Sequence, residues 1–255
     1  MSATDRLKGL AKGAMKRTGY RLVRDQHPHD WDEGLVRIVD QVAPYTMTIP
    51  EDIHGMVEAT RYVVKQDIPG AIVECGVWRG GSSMASMLAT IEAGHTDRDY
   101  WLYDTYEGMT PPTEHDRKVI NGMHASEELA VTPKIDDFNI WCIADIDDVQ
   151  RNVATTGYPS DRVTFVKGPV EETIPGQMPD QIALLRLDTD WYESTRHELI
   201  HLWPRLVPGG LVILDDYGFW EGQRRAVDEF FEQEGLSVFL HRMSFMGRIG
   251  IKTCC

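Results

Sequence analysis

Asp188, Asp215 and Asp216 are the first residues on which chemistry can be built. Each follows a nearly uninterrupted apolar run, Ile182–Leu187 for the first and Leu211–Leu214 for the pair. Two neighbouring strands that end this way bring three carboxylates to one edge, where mutual repulsion raises at least one pKa unless a cation is present. A hard divalent ion removes that cost, and an all-oxygen set with room left for water or substrate suits Mg2+. The other use of Asp188 or Asp215 is to cap the helix that follows. Asp190, two positions beyond Asp188, is read as such a cap and stays outside the metal set. A metal here would lower the pKa of a coordinated hydroxyl and fix its oxygen for in-line attack. Asp188, touching both metal and acceptor oxygen, would take the proton as general base.

What that oxygen attacks is suggested by a second group. The run Ile72-Val73-Glu74-Cys75 leads into Gly76-Val77-Trp78-Arg79-Gly80-Gly81-Ser82-Ser83. A dinucleotide site wants G-x-G-x-x-G, so that backbone N–H groups close on a pyrophosphate. Here Trp78 stands where the second glycine would be and Glu74 would repel a phosphate, which speaks against a nicotinamide-dependent reductase. A carboxylate at a strand end suits the ammonium of an amino-acid ligand, and S-adenosylmethionine carries that ammonium, an adenosine and no phosphate. Glu74, Gly76, Trp78, Gly80 and Ser82 are therefore expected to bind the donor. Asp104, one βαβ unit further on, is placed to accept from both ribose hydroxyls, with a helix N-cap as its other use. Gly168 and Val170 are assigned to an adenine slot by position alone.

These residues need a sheet to carry them. From Ala71 the chain alternates strands and helices, the pattern of a parallel sheet with crossover helices. Strands are expected at about 71–75, 100–104, 163–167, 182–187, 210–214, 236–241 and 247–252, the last two joined by a turn at Gly247 into an antiparallel hairpin. The fold class is α/β, a Rossmann-like seven-stranded, mostly parallel sheet of the class I methyltransferase plan with an N-terminal helical extension. A crossover helix is expected over Glu193–Leu206, ended by Pro208-Gly209-Gly210. Upstream, Asp30-x-x-Glu33 reads as a capping box for a helix reaching about Ala43, and a second helix follows Pro50 and ends near Gln66. Residues 1–70 form an arm and helices packed on the 71–255 methyltransferase domain, one structural domain in all. The arm, residues 1–24, is basic and amphipathic; it covers a partner subunit or the site, or is a frayed end.

Composition narrows the function. With 255 residues and 42% hydrophobic content the chain can bury a sizeable core. A net charge of -14 argues against nucleic acid or an anionic membrane as partner. No run long enough to span a bilayer and no signal-like start is present, which points to the cytoplasm. Cys75, Cys142, Cys254 and Cys255 have no metal spacing and read as free thiols. His197 and His201 have i, i+4 spacing, but a crossover helix points them away from the strand ends. The stretch from Tyr106 to Lys134 is long enough for a lid or for an ordered excursion that never meets substrate.

The chain resembles the macrocin O-methyltransferase family, which methylates sugar hydroxyls on macrolides and related natural products. The matching stretches are Tyr45-Thr46-Met47-Thr48, Ile72 to Ser82, Asp104-Thr105-Tyr106-Glu107-Gly108-Met109, Leu187 to Thr195, and Pro208-Gly209-Gly210 through Asp215-Asp216-Tyr217-Gly218. The resemblance implies an S-adenosylmethionine-dependent fold, Mg2+ at Asp188, Asp215 and Asp216, Asp188 as base, and Thr46 and Met47 closing on the donor. It also implies a glycosylated small-molecule acceptor and a homo-oligomer, dimer or tetramer. A phenolic or catechol acceptor is the alternative for the same chemistry.

Overall fold

The computed structural model describes residues 27–135 and 138–253; the basic arm and the Cys254–Cys255 terminus lie outside them. The described residues divide into two units at Val36 and Arg37. In the first, Asp32 opens helix α1 (Glu33–Val42): its carboxylate accepts the Leu35 N–H at 2.7 Å. That satisfies one of the donors a helix start leaves without an intrahelical partner, two residues later than the expected Asp30 cap.

In the second unit, Pro50 begins helix α2 (Pro50–Lys65), where a missing N–H costs nothing, and Ile53, Met56, Val57, Val63 and Val64 form its buried stripe. The chain then runs β1 (Ala71–Cys75), α3 (Gly81–Glu92), β2 (Tyr100–Asp104), α4 (Ala125–Val131), α5 (Ile146–Ala154), β3 (Val163–Lys167), α6 (Val170–Thr173), β4 (Ile182–Leu187), α7 (Tyr192–Leu202), β5 (Leu206–Leu214), α8 (Glu221–Gln233), β6 (Leu240–Arg242) and β7 (Arg248–Ile251). Because α2 packs against α3, β4 and β5, it belongs to this unit.

The seven strands are ordered β3-β2-β1-β4-β5-β7-β6. The β3-β2-β1-β4-β5 pairs are parallel, and β7 is antiparallel to both β5 and β6. Strands alternate their side chains between faces. Val73, Cys75, Leu185, Leu187, Val212 and Leu214 join one core cluster with Leu199, Leu202 and Trp203 of the α7 end and Val227, Phe230 and Phe231 of α8. The intervening positions Ile72, Glu74, Leu184, Arg186 and Ile213 take the other face. β5 starts earlier than expected because Pro208-Gly209-Gly210 is strand rather than helix stop. Gly209 N–H donates to Lys252 and Lys252 N–H returns to Gly210, so the edge is paired. The helix before it already ends at Leu202, in a 3-10 turn over Trp203–Arg205. β6 is reduced to three residues. Among the described residues no helix is long and apolar enough to cross a membrane.

The strand order reverses between β1 and β4, and a crevice outside the carboxyl ends of the strands opens there. Two glycines permit it. Gly76 (φ +84°) lets the β1 end lie against β4, since a Cβ there would sit 2.0 Å from the Asp188 carbonyl oxygen. At Gly81 a Cβ would meet the Tyr45 carbonyl oxygen at 2.6 Å, so this glycine admits the Tyr45-Thr46 strap.

Candidate active site

The acidic strand ends meet around a residue that the apolar reading of β4 passes over. Arg186 is 2% exposed, lies opposite Glu74 in the β1–β4 register, and points along the same face as Asp188 two positions on. Its Nη1 donates to Glu74 Oε1 and Asp188 Oδ2, both at 2.6 Å. Its Nη2 donates to Asp215 Oδ1 at 2.7 Å and Thr48 Oγ1 at 2.9 Å. Glu74, 1% exposed, also accepts from Ser83 Oγ at the start of α3. Burial pushes the Glu74 carboxyl up, and Arg186 and Ser83 work against that. A charged residue inside an apolar central strand was the available signal, because such residues are almost never fully buried unless paired.

Asp188, Asp215 and Asp216 each offer an oxygen within 4.8 Å of the others. The Asp216 N–H donates to Gln223 Oε1 at 2.8 Å, which fixes the turn after β5, while Asp216 Oδ2 is buried without a hydrogen-bond partner. Burial drives the Asp188 carboxyl well up; Arg186 opposes this, and Asp215 and Asp216 add to it. Asp190 does not cap α7, whose N-cap position is Trp191 with no side-chain bond. Instead, in a left-handed conformation (φ 63°), it joins the acidic group. Burial and Asp188 raise its carboxyl, and hydrogen bonds with Trp220 and Asp216 hold it down.

The glycine turn is organised by Asp104. Its Oδ2 accepts the N–H groups of Val77 (2.7 Å) and Trp78 (3.0 Å), and its Oδ1 accepts Tyr106 N–H at 2.7 Å and Thr105 Oγ1 at 3.4 Å. These bonds do not cap a helix: the carboxylate ties the β2 end to the turn after β1. Burial raises the Asp104 carboxyl, against those N–H donors. Trp78 has a positive φ of 45°, stacks edge-on to Phe138 at 4.8 Å, and keeps a buried Nε1 with no partner. Gly80 (φ +93°) is the N-cap of α3 and Ser82 is buried in its first turn. Gly168 (φ +136°) donates its N–H to Asp104 O at 3.0 Å, and Val170 is 5% exposed just beyond. Thr46 Oγ1 accepts Thr48 N–H at 3.0 Å, and Thr48 Oγ1 lies 3.4 Å from Ser82 Oγ.

One cavity of about 400 Å3, ordinary for a small-molecule site, joins these groups. Thr46, Met47, Glu74, Gly76, Trp78, Ser82, Asp104, Gly168 and Val170 line it with Asp188, Asp190, Asp215 and Asp216; Gly80 stands behind the turn rather than on the lining. Opposite, Met109, Ile140, Phe219, Trp220 and Met246 supply an apolar wall, and Lys118 stands over the Phe219 and Trp220 rings at 5.3 and 5.7 Å while pairing with Glu128 at 2.5 Å. Met109, Lys118 and Glu128 come from the stretch after Tyr106, which is fastened to the core. Fully buried Asp116 accepts Tyr192 N–H at 2.8 Å, Thr113 N–H at 2.6 Å and Thr113 Oγ1 at 3.0 Å, and Trp191 Nε1 donates to Thr110 O at 2.9 Å. His197 and His201 lie 4.5 Å apart, His197 bonded to Ile174 O, and neither lines the cavity. Cys75 is a buried free thiol and Cys142 a cavity-lining one.

A parallel sheet with this switch point, closed by an antiparallel strand and carrying a glycine turn and acidic strand ends in one crevice, defines a class I methyltransferase. The family model described as Macrocin-O-methyltransferase (TylF) matches residues 24–249. The chain belongs to the macrocin O-methyltransferase family and is an S-adenosylmethionine-dependent O-methyltransferase. It is 33% identical over 193 residues to the 8-demethyl-8-(2,3-dimethoxy-alpha-L-rhamnosyl)-tetracenomycin-C 4'-O-methyltransferase of Streptomyces olivaceus, a match covering 76% of this chain and 70% of that one. It is 30% identical over 195 residues to the Mycinamicin III 3''-O-methyltransferase of Micromonospora griseorubida, covering 76% and 72%. Among solved structures it is similar to the O-methyltransferase NovP, with a TM-score of 0.71 and 27% identity over 82% of this chain and 83% of that one.

Proposed function

We propose that this enzyme methylates a sugar hydroxyl of a glycosylated, macrolide-like natural product with the help of Mg2+ at Asp188, Asp215 and Asp216, as a cytoplasmic homo-oligomer. The observation that carries the reading is the buried, unpartnered Oδ2 of Asp216, a residue that shares with Asp188 and Asp215 a set of carboxylate oxygens within 4.8 Å of one another, in the same cavity as the glycine turn. An orphaned carboxylate oxygen in an all-oxygen group fits a hard cation. When bound, the ion would act as a Lewis acid that lowers the pKa of the acceptor hydroxyl and anchors it.

The chain's own residues do the rest. Gly76 and Ser82 line the place of the donor's amino-acid end, with Gly80 shaping the turn behind them; Glu74, already engaged by Arg186 and Ser83, takes the ammonium as a third partner at the cavity floor. Asp104 shares its carboxylate between the turn and the ribose hydroxyls. Trp78, Gly168 and Val170 flank the adenine, and Thr46 and Met47 cover the donor from the N-terminal strap. The wall of Met109, Phe219 and Trp220 excludes water and takes the apolar body of the acceptor. Asp188, beside the acceptor oxygen, takes its proton. The committed oxygen of Asp188 favours a second reading of that last role: with Oδ2 held by Arg186, the neighbouring Asp190, free of Arg186 and facing the same cavity, serves as the base.

The test is methyl transfer to glycosylated and to phenolic acceptors, read by mass spectrometry with and without chelator. Loss of the general base costs about 10^2- to 10^4-fold. Asp188→Asn and Asp190→Asn, each assayed at saturating Mg2+, separate the two bases. Activity on the phenol alone, or full activity in chelator, would sink the sugar or the magnesium assignment respectively.

A further inference from the structure

We infer that Arg186 is the positioning residue of the three-carboxylate group, an inference that rests on the magnesium reading above. One guanidinium reaches across three strands. Nη1 spans Glu74 of β1 and Asp188 beyond β4, and Nη2 spans Asp215 beyond β5 and Thr48 of the N-terminal strap. At 2% exposure the guanidinium itself is shielded from solvent, so its bonds go to these four partners. Asp188 and Asp215 therefore each have one oxygen fixed in direction, which sets how both carboxylates face Asp216. The period-two geometry of parallel strands makes this possible: Glu74 and Arg186 are register partners, Asp188 lies two positions beyond Arg186, and Asp215 two beyond Ile213, the β5 partner of Arg186.

A planar fork is required for the task. Lysine would keep the charge but carry it as a compact ammonium on a single nitrogen, which cannot deliver parallel bonds to carboxylates on both sides of the strand. Partners that orient metal ligands typically contribute about 10- to 100-fold in metal affinity. Buried ion networks often add little net stability, so the effect belongs to orientation more than to the fold. The same guanidinium holds Glu74 and Thr48, so the donor end is fixed along with the metal end.

The experiment is calorimetric titration of the full chain, freed of metal by chelator and dialysed, with MgCl2 alone, alongside a parallel titration with S-adenosylhomocysteine. For Arg186→Lys, Mg2+ affinity is expected to fall about 10- to 100-fold and S-adenosylhomocysteine affinity to fall with it, while a cooperative thermal transition remains. A merely structural role would lower the melting temperature and leave Mg2+ affinity per folded molecule unchanged; Mg2+ binding within twofold of wild type overturns the inference. Wild type that binds S-adenosylhomocysteine but no Mg2+ overturns the magnesium reading itself. Should Arg186→Lys show no cooperative transition, Thr48→Val decides: it removes one Nη2 acceptor without touching a charge, is expected to weaken Mg2+ about threefold or more, and overturns the inference if it does not.

Discussion

Asp52 offers a sharp test of the electrostatic reasoning, away from the reacting atoms. It lies in the first turn of α2, 2% exposed, with Oδ2 accepting Ser244 Oγ at 2.7 Å and Oδ1 buried without a partner. Ser244 Oγ in turn accepts the N–H groups of Met246 and Gly247, both at 3.0 Å, so this carboxyl helps hold the β6–β7 turn that sends Met246 to the cavity wall. Burial raises its pKa from the ordinary 3.8 to about 6, opposed by Ser244 and assisted by Asp215. A folded-state pKa above the unfolded one means that the native state binds the extra proton, so folding stability falls as pH rises between those values. The full effect is about 3 kcal/mol, roughly half of it developing between pH 5 and pH 7.5. Asp52→Asn removes this titration. Urea denaturation in chelator at several pH values should give a wild-type stability that declines against the variant by that half across the window. The absolute stability of the variant is not the readout, because its amide creates a donor with needs of its own. Parallel stability curves for the two proteins would refute the argument.

Two further expectations follow from close contacts. Gly76→Ala places a Cβ 2.0 Å from the Asp188 carbonyl oxygen at φ +84°, so it should destabilise the fold by at least about 2 kcal/mol and displace Asp188, lowering both urea midpoint and methyl transfer; an unchanged midpoint would contradict the packing of β1 on β4. Asp116→Ala strips three hydrogen bonds, two that hold the turn at Thr113 and one that ties the Tyr106–Val131 stretch to Tyr192 of α7, and should cost about 2–3 kcal/mol and speed amide exchange at Thr113 and Tyr192, with slow exchange at both positions counting against the anchor.

What the sequence revealed and what it hid divide along a physical line. Strands β1, β2 and β4 are legible because each is a largely apolar run bounded by turn residues, and a buried parallel strand needs little else. The first and last turns of elements are less so. Asp32 rather than Asp30 caps α1, and Pro208-Gly209-Gly210 reads as a stop although the backbone bonds of Lys252 make it strand. Both outcomes were decided by which donors found partners, which spacing alone does not specify. Helix starts favour aspartate, so position alone predicts a cap at Asp190; its left-handed backbone turns it into the acidic group instead.

Charge is less legible still. The strand ends predict that Asp188, Asp215 and Asp216 gather on one edge, where a cation would offset their repulsion. The fold already supplies one, since Arg186 contacts two of the three along with Glu74. One guanidinium against Glu74, Asp188, Asp190, Asp215 and Asp216 leaves the group short of neutrality, and Asp216, the metal-group aspartate that Arg186 does not bond, retains a bare buried oxygen. An internal arginine thus sets the direction of two of these carboxylates, and the bare oxygen of Asp216 is where the proposed ion would complete the group. The sequence pattern that encodes this is short: an arginine two positions before the aspartate, in a strand otherwise apolar, opposite a glutamate that ends its neighbour.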